Sequence, residues 1–145
     1  LLEGITRLLA PEAERRRVQF RWEAPAPLPA VALDRIQMEQ VFVNVLKNAL
    51  EAIGADGTIT LRLGQRGPRP FVAIEDSGPG LRPEARANLF TPFFTTKENG
   101  NGLGLSICRS LAWQSGGKLH IRSRPGEGTE AVLVLPVERG KAGNP

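Results

Sequence analysis

The chain has 145 residues, 41% hydrophobic and 23% charged, which fits one globular domain; a domain of this size buries about 68–70% of its unfolded surface and needs no staples. A lone cysteine, Cys108, excludes an internal disulfide and points to a reducing, cytoplasmic setting; no apolar run reaches membrane-spanning length and no signal-peptide pattern opens the chain. The net charge of +4 and the pI near 10.0 raise nucleic acid as a partner, but the arginines are scattered without aromatic interleaving, so a solvated basic surface is the reading and nucleic-acid binding is set aside.

Leu1, Leu2, Ile5, Leu8 and Leu9 follow helical spacing, and Pro11 is expected to kink or restart that helix before it runs on through Glu12–Arg17. The opening Leu1-Leu2-Glu3, without Met, reads as the continuation of a longer chain. Val18, Phe20 and Trp22 alternate, predicting a strand with one buried face. The three prolines of Ala24–Pro29 rule out a helix and predict a stiff connector. Asp34 is a good helix N-cap with Gln37 three residues later, and Met38, Val41, Phe42, Val45, Leu46, Ala49 and Ile53 recur at helical intervals until Gly54 and Gly57. Ile59, Leu61 and Leu63 alternate with polar residues; a Gly-Pro turn over Gly64–Pro70 and a second strand over Phe71–Asp76 complete an antiparallel hairpin. Pro83–Leu89 can form a short helix. Phe90–Gly104 has no period and is longer than ordinary connections, as functional lids are. Leu105, Cys108, Leu111 and Ala112 mark a helix closed by Gly116-Gly117. Leu119 and Ile121, then Ala131, Leu133 and Leu135, mark two strands about a turn at Pro125–Gly128, and a polar tail follows Pro136. Strands and helices mixed with adjacent hairpins predict a two-layer α/β sandwich without repeats.

Three features could carry chemistry. Asn44, Asn48 and Glu51 share one face of an otherwise greasy helix, and asparagine is a mediocre helix former; the stripe is either plain solvent-facing surface or a row of oxygens facing a ligand, since an amide oxygen can ligate Mg²⁺. Asp76-Ser77-Gly78-Pro79-Gly80 follows a strand; it is either an ordinary turn or a strand-end carboxylate beside a pocket, with Gly78 and Gly80 letting a flat ring approach the backbone. Gly100-Asn101-Gly102-Leu103-Gly104-Leu105 opens a helix with Lys97 upstream; it either caps that helix or offers free N–H groups to phosphate. It matches neither the P-loop nor the dinucleotide fingerprint, and the protein-kinase signatures are absent.

The order of these pieces, with Leu89–Lys97 (Leu-Phe-Thr-Pro-Phe-Phe-Thr-Thr-Lys) between the second and third and Gly126-Glu127-Gly128-Thr129 before the last strand, resembles the catalytic domain of sensor histidine kinases, within the GHKL superfamily of gyrase and the mismatch-repair ATPases. The likeness runs from about residue 8 to 136. It implies the Bergerat fold: a mixed, mostly antiparallel sheet of about five strands packed against three helices. It implies ATP and Mg²⁺ as cofactors. Asp76 would accept a hydrogen bond from the adenine amino group, where guanine presents a carbonyl. Thr129 would support that aspartate through water, Asn48 would ligate Mg²⁺ with Asn44 one turn earlier, and Phe90–Gly102 would be a short lid. Lys97 and the backbone of Gly102, Leu103 and Gly104 would hold the phosphates. Gyrase-like relatives carry a glutamate where Asn44 stands; an amide takes no proton at neutral pH, so a phosphoryl donor rather than a hydrolase is implied.

Two positions depart from the pattern. Glu51 stands where many members have a base, so it receives no phosphate role. The family's acceptor histidine lies upstream on a helical hairpin, whereas the one histidine here, His120, lies in an alternating strand. Residues 1–10 are therefore expected to be the end of a connection from a histidine-containing dimerisation domain, 11–137 the ATP-binding domain and 138–145 a tail. The implied partners are that domain, in a homodimeric parent that can be membrane-anchored, and a response-regulator receiver; the fragment itself makes no membrane contact. A non-catalytic nucleotide-binding module and a GHKL serine kinase remain as alternatives.

Overall fold

The computed structural model describes residues 1–24, 34–81, 83–87 and 104–136. In chain order these form α1 (Leu2–Arg15), β1 (Val18–Glu23), α2 (Arg35–Ile53), β2 (Gly57–Arg66), β3 (Arg69–Asp76), α3 (Pro83–Ala87), α4 (Gly104–Gln114), β4 (Lys118–Ser123) and β5 (Thr129–Val134). The connector 25–33, the segment 88–103 and the tail 138–145 lie outside the described residues.

The strands form one open sheet in the order β1-β2-β3-β5-β4. β2 and β3 make the expected hairpin, with Ile59 opposite Asp76; β5 lies antiparallel between β3 and β4, and only β1 joins in parallel, on β2. α1, α2 and α4 cover one face, so the two-layer sandwich is as read from the alternation of elements. Ile59, Leu61, Val72, Ile74, Leu119, Ala131 and Leu133 point from the sheet into a core filled from the helices by Ile5, Leu9, Met38, Val41, Leu46, Leu50, Cys108 and Ala112. Asp34 caps α2 as anticipated, its carboxylate accepting the Gln37 N–H at 3.1 Å.

Two local expectations are met only in part, for physical reasons. Pro11 neither breaks nor restarts α1, which runs unbroken through it. Ile5 and Leu9 before it and Ala13 after it are all buried, and that packing outweighs the cost of about 3 kcal/mol for an internal proline. Trp22 is 42% exposed although Val18 on the same strand is buried. β1 is an edge strand, and the described helices cover only its beginning.

Candidate functional site

The site is assembled at the ends of three strands and along one helix. Asn44 and Asn48 are half-buried on the same stripe of α2, whereas Glu51 is exposed. The Asn44 amide hydrogen-bonds to the Cys108 thiol on α4, which also lies 3.8 Å from the Val41 carbonyl. Burial pushes that thiol up to about 11, so it stays protonated at neutral pH. Further along, Gln37 meets Gln114 at 3.3 Å and Ser115 at 3.1 Å. Residue numbers therefore rise along α2 as they fall along α4, and the two helices are antiparallel. The start of α4 at Gly104 therefore lies toward the Asn48 end of α2.

Asp76 ends β3 and is 6% exposed. Its Oδ1 accepts the Gly78 N–H at 2.9 Å and the Thr129 N–H at 3.3 Å. Burial raises its pKa above the ordinary carboxylate value; those two N–H groups oppose the shift and the neighbouring Glu75 charge reinforces it. A Cβ on Gly78 would lie 3.1 Å from the Ala52 carbonyl, so the turn after Asp76 is seated on the last turn of α2. Ala52 is one turn beyond Asn48 on the same stripe. The structure thus brings Asp76, Asn48 and the start of α4 to one end of the helical layer.

The floor of the site is two turns locked together. Gly126 N–H donates to the Pro79 carbonyl at 2.6 Å. Gly80, at φ 76°, would place a Cβ 1.9 Å from the Arg124 carbonyl, and Gly128, at φ 77°, would place one 2.1 Å from the Asp76 carbonyl. Both positions need glycine for space as well as for conformation. Ser123 completes the lock: its hydroxyl accepts the Leu81 N–H at 2.7 Å and lies 3.1 Å from the Gly128 carbonyl and 2.8 Å from the Thr129 hydroxyl. Thr129 does stand beside Asp76, but its direct contact is through its backbone N–H, while its hydroxyl is turned to Ser123.

Ser123 was missed by sequence reasoning. The signal was there in principle, since a register count around the Pro125–Gly128 turn pairs Ser123 with Thr129. Of the other anticipated residues, Gly104 opens α4, while Lys97, Gly102, Leu103 and the lid lie outside the described residues.

Comparison with known proteins agrees with this fold. Residues 33–139 match the family model described as histidine kinase-, DNA gyrase B-, and HSP90-like ATPase. The chain is 37% identical over 94% of its length to the alginate biosynthesis sensor protein KinB of Pseudomonas aeruginosa, and 37% identical over 90% to the sensor histidine kinase ZraS of Salmonella typhi. It spans only 23% and 28% of those two proteins. Against the catalytic domain of histidine kinase ThkA the TM-score is 0.83 at 32% identity, covering 93% of this chain and 89% of that one. Full-length ShkA in complex with AMPPNP gives 0.83 at 31% identity, covering 93% of this chain and 29% of that one. Family match and whole-domain likeness together establish that the chain belongs to the histidine kinase-, DNA gyrase B-, and HSP90-like ATPase family, as a histidine-kinase catalytic domain.

Proposed function

We propose that this domain binds Mg²⁺-ATP across the end of β3, the asparagine stripe of α2 and the start of α4, and hands the γ-phosphoryl group to a histidine on a separate helical-hairpin domain of the same kinase. A response-regulator receiver then takes the phosphate. The observation that carries the reading is Asp76: a buried carboxylate, fixed through Oδ1 by two backbone N–H groups, with among the described residues no hydrogen bond to Oδ2. An adenine amino group supplies the donor that this oxygen lacks, and guanine presents a carbonyl in the same place. ShkA in complex with AMPPNP, an ATP analogue, and ThkA in complex with the response regulator TrrA support the same ligand and partner.

The donor set fits Mg²⁺. Among the described residues no three His, Cys, Asp or Glu gather as a metal cage. Mg²⁺ needs only one or two protein oxygens when triphosphate and water complete its shell, and the Asn48 amide can provide one. Once bound, the ion neutralises charge on the β- and γ-phosphates. Lys97 and the amides of Gly102, Leu103 and Gly104 hold the phosphates, Gly104 at the positive end of α4. The Asn44 amide is engaged with Cys108 and cannot accept a proton at neutral pH, so this domain positions the phosphoryl group and the base comes from the acceptor.

In this reading residues 1–10 lead in from the dimerisation domain of a homodimeric parent while packing Ile5 and Leu9 into the core of the ATP-binding domain that residues 11–137 continue, and both work on the cytoplasmic side. No described helix is long and apolar enough to cross a membrane. Calorimetry of Asp76→Ala tests the reading: ATP affinity should fall by at least about tenfold, as loss of a hydrogen bond to a charged group implies. Unchanged affinity would refute the adenine assignment.

A further inference from the structure

We infer that the groove between α4 and the open edge of β4 is a docking surface for an extended, acidic segment of a protein partner, which adds to the sheet as a sixth strand. Its residues lie outside the nucleotide site, so it holds whether or not the adenine assignment does.

Arg66 from β2, Arg109 and Trp113 from α4, and Lys118, His120 and Arg122 from β4 line the groove. Among the described residues no aspartate or glutamate lines it. At about 1280 Å³ it exceeds the roughly 300–1,000 Å³ of small-molecule clefts, which suits a stretch of polymer better than a metabolite. Trp113 is 71% exposed on the α4 side, and tryptophan and arginine are the residue types that anchor interfaces.

The strand edge selects among polyanions. Among the described residues β4 pairs only with β5, so one row of its backbone N–H and C=O groups has no strand partner. A polypeptide strand answers such a row bond for bond. Nucleic acid and a lipid surface carry the charge but not alternating donors and acceptors at strand spacing. The six residues of β4 span about 20 Å, which sets the length of the added strand.

Side-chain alternation then sets the segment's pattern. Leu119 and Ser123 are buried, while Lys118, His120 and Arg122 stand exposed on the opposite face. A strand laid beside β4 turns every second side chain toward Lys118 and Arg122, and the others toward α4 and Trp113. Carboxylates complement the first set and apolar groups the second. Arg122 already holds Glu130 at 2.8 Å, and a guanidinium with five N–H donors can take a further carboxylate. A second copy pairing β4 to β4 would bring like charges together. The chain's own tail is no complement either, with Glu138 against Arg139 and Lys141.

To test this, the isotope-labelled chain is titrated with an octapeptide alternating Glu and Val, followed by backbone NMR and amide hydrogen exchange. Shifts should centre on residues 118–123 and the Trp113 indole, and β4 amides should exchange more slowly. Affinity should fall by about tenfold in Lys118→Glu, and fall again as salt is added. Trp113→Ala should weaken binding by a separate route, and ATP affinity should be unchanged in both variants. The same peptide with every amide N-methylated keeps its charge but has no backbone donors, and should bind at least about tenfold more weakly. Equal binding of the methylated peptide would overturn strand addition. An absence of binding, or shifts centred elsewhere, would overturn the docking site. So would a short oligonucleotide or phosphatidylglycerol vesicles shifting these residues where the peptide does not, or a dimer of the free chain formed through β4.

Discussion

A carboxylate that is 6% exposed is pulled two ways at Asp76: burial favours its neutral form, while the Gly78 and Thr129 N–H groups favour its charge. Burial wins, and the folded-state pKa lies above the unfolded one. In the window between the two values the folded chain holds the extra proton, so stability falls as pH rises through it and recovers as pH drops. Asp76→Asn should therefore melt higher than the parent at neutral pH, with a flatter stability profile between acid and neutral pH, while losing ATP affinity. Thermal melts across pH, set beside calorimetry, check both halves; a lower melting temperature at pH 7 would contradict the stated balance. Ligand affinity should also weaken in the parent as the pH is lowered and Asp76 takes up its proton. The residue-level chemistry was partly legible in the chain. Asp76 stood out because a strand pattern stopped on it and glycines followed. Ser123 could have been found only by counting register across the turn to Thr129, and Cys108 not at all, because its partner Asn44 lies on a different helix that no local spacing reveals.

Elements are held by packing where they are long and by glycine where they touch. α2 needs little help from propensity, since Met38, Val41, Leu46 and Leu50 are at most 1% exposed. Leu46→Ala should cost about 2–5 kcal/mol by urea denaturation, as cavities in closed cores do. The two turns beneath Asp76 give a cleaner comparison. Gly80 and Gly126 both have positive φ, 76° and 81°, but a Cβ on Gly80 strikes the Arg124 carbonyl at 1.9 Å while one on Gly126 meets nothing within 4 Å. Gly126→Ala should cost only the backbone strain, about 1–2 kcal/mol. Gly80→Ala should cost measurably more and reduce ATP binding, because the turn must move. Equal unfolding midpoints would show that the contact yields easily. Helix α2 was readable from its cap and period, and the β2–β3 hairpin from its alternation. The uninterrupted α1 was not: proline's local effect is visible in sequence, whereas the burial of Ile5, Leu9 and Ala13 that overrides it is a property of the assembled core.

Across the whole molecule the outward face of the sheet is organised by charge. Arg62 on β2 reaches Glu23 on β1 at 3.0 Å, Glu75 on β3 at 3.6 Å and Glu130 on β5 at 3.0 Å, and Arg122 on β4 joins Glu130 at 2.8 Å. One ladder of ion pairs thus touches all five strands, with two arginines holding three glutamates. Arg62 is 37% exposed, so each pair is worth little, about 0–1 kcal/mol. Arg62→Ala also leaves three carboxylates facing one another. Destabilisation of about 1 kcal/mol is expected in urea titrations at low ionic strength, shrinking as salt is added; a loss that does not respond to salt would assign the effect to packing of the arginine stem. Sequence could not disclose this ladder, because Glu23 and Arg62 are brought together by the parallel β1–β2 pairing.

The sheet is also open. Among the described residues, β1 and β4 each have one side without a strand partner. Exposed backbone of that kind templates self-association, and here both margins are studded with charge: Arg21 and Glu23 on one, Lys118 and Arg122 on the other. Like-signed β4 margins repel while the chain carries its net positive charge. That protection fades as pH approaches the isoelectric point near 10.0, where the net charge vanishes. Concentrated solutions should therefore cloud first on the alkaline side, through edge-to-edge strand pairing rather than unfolding.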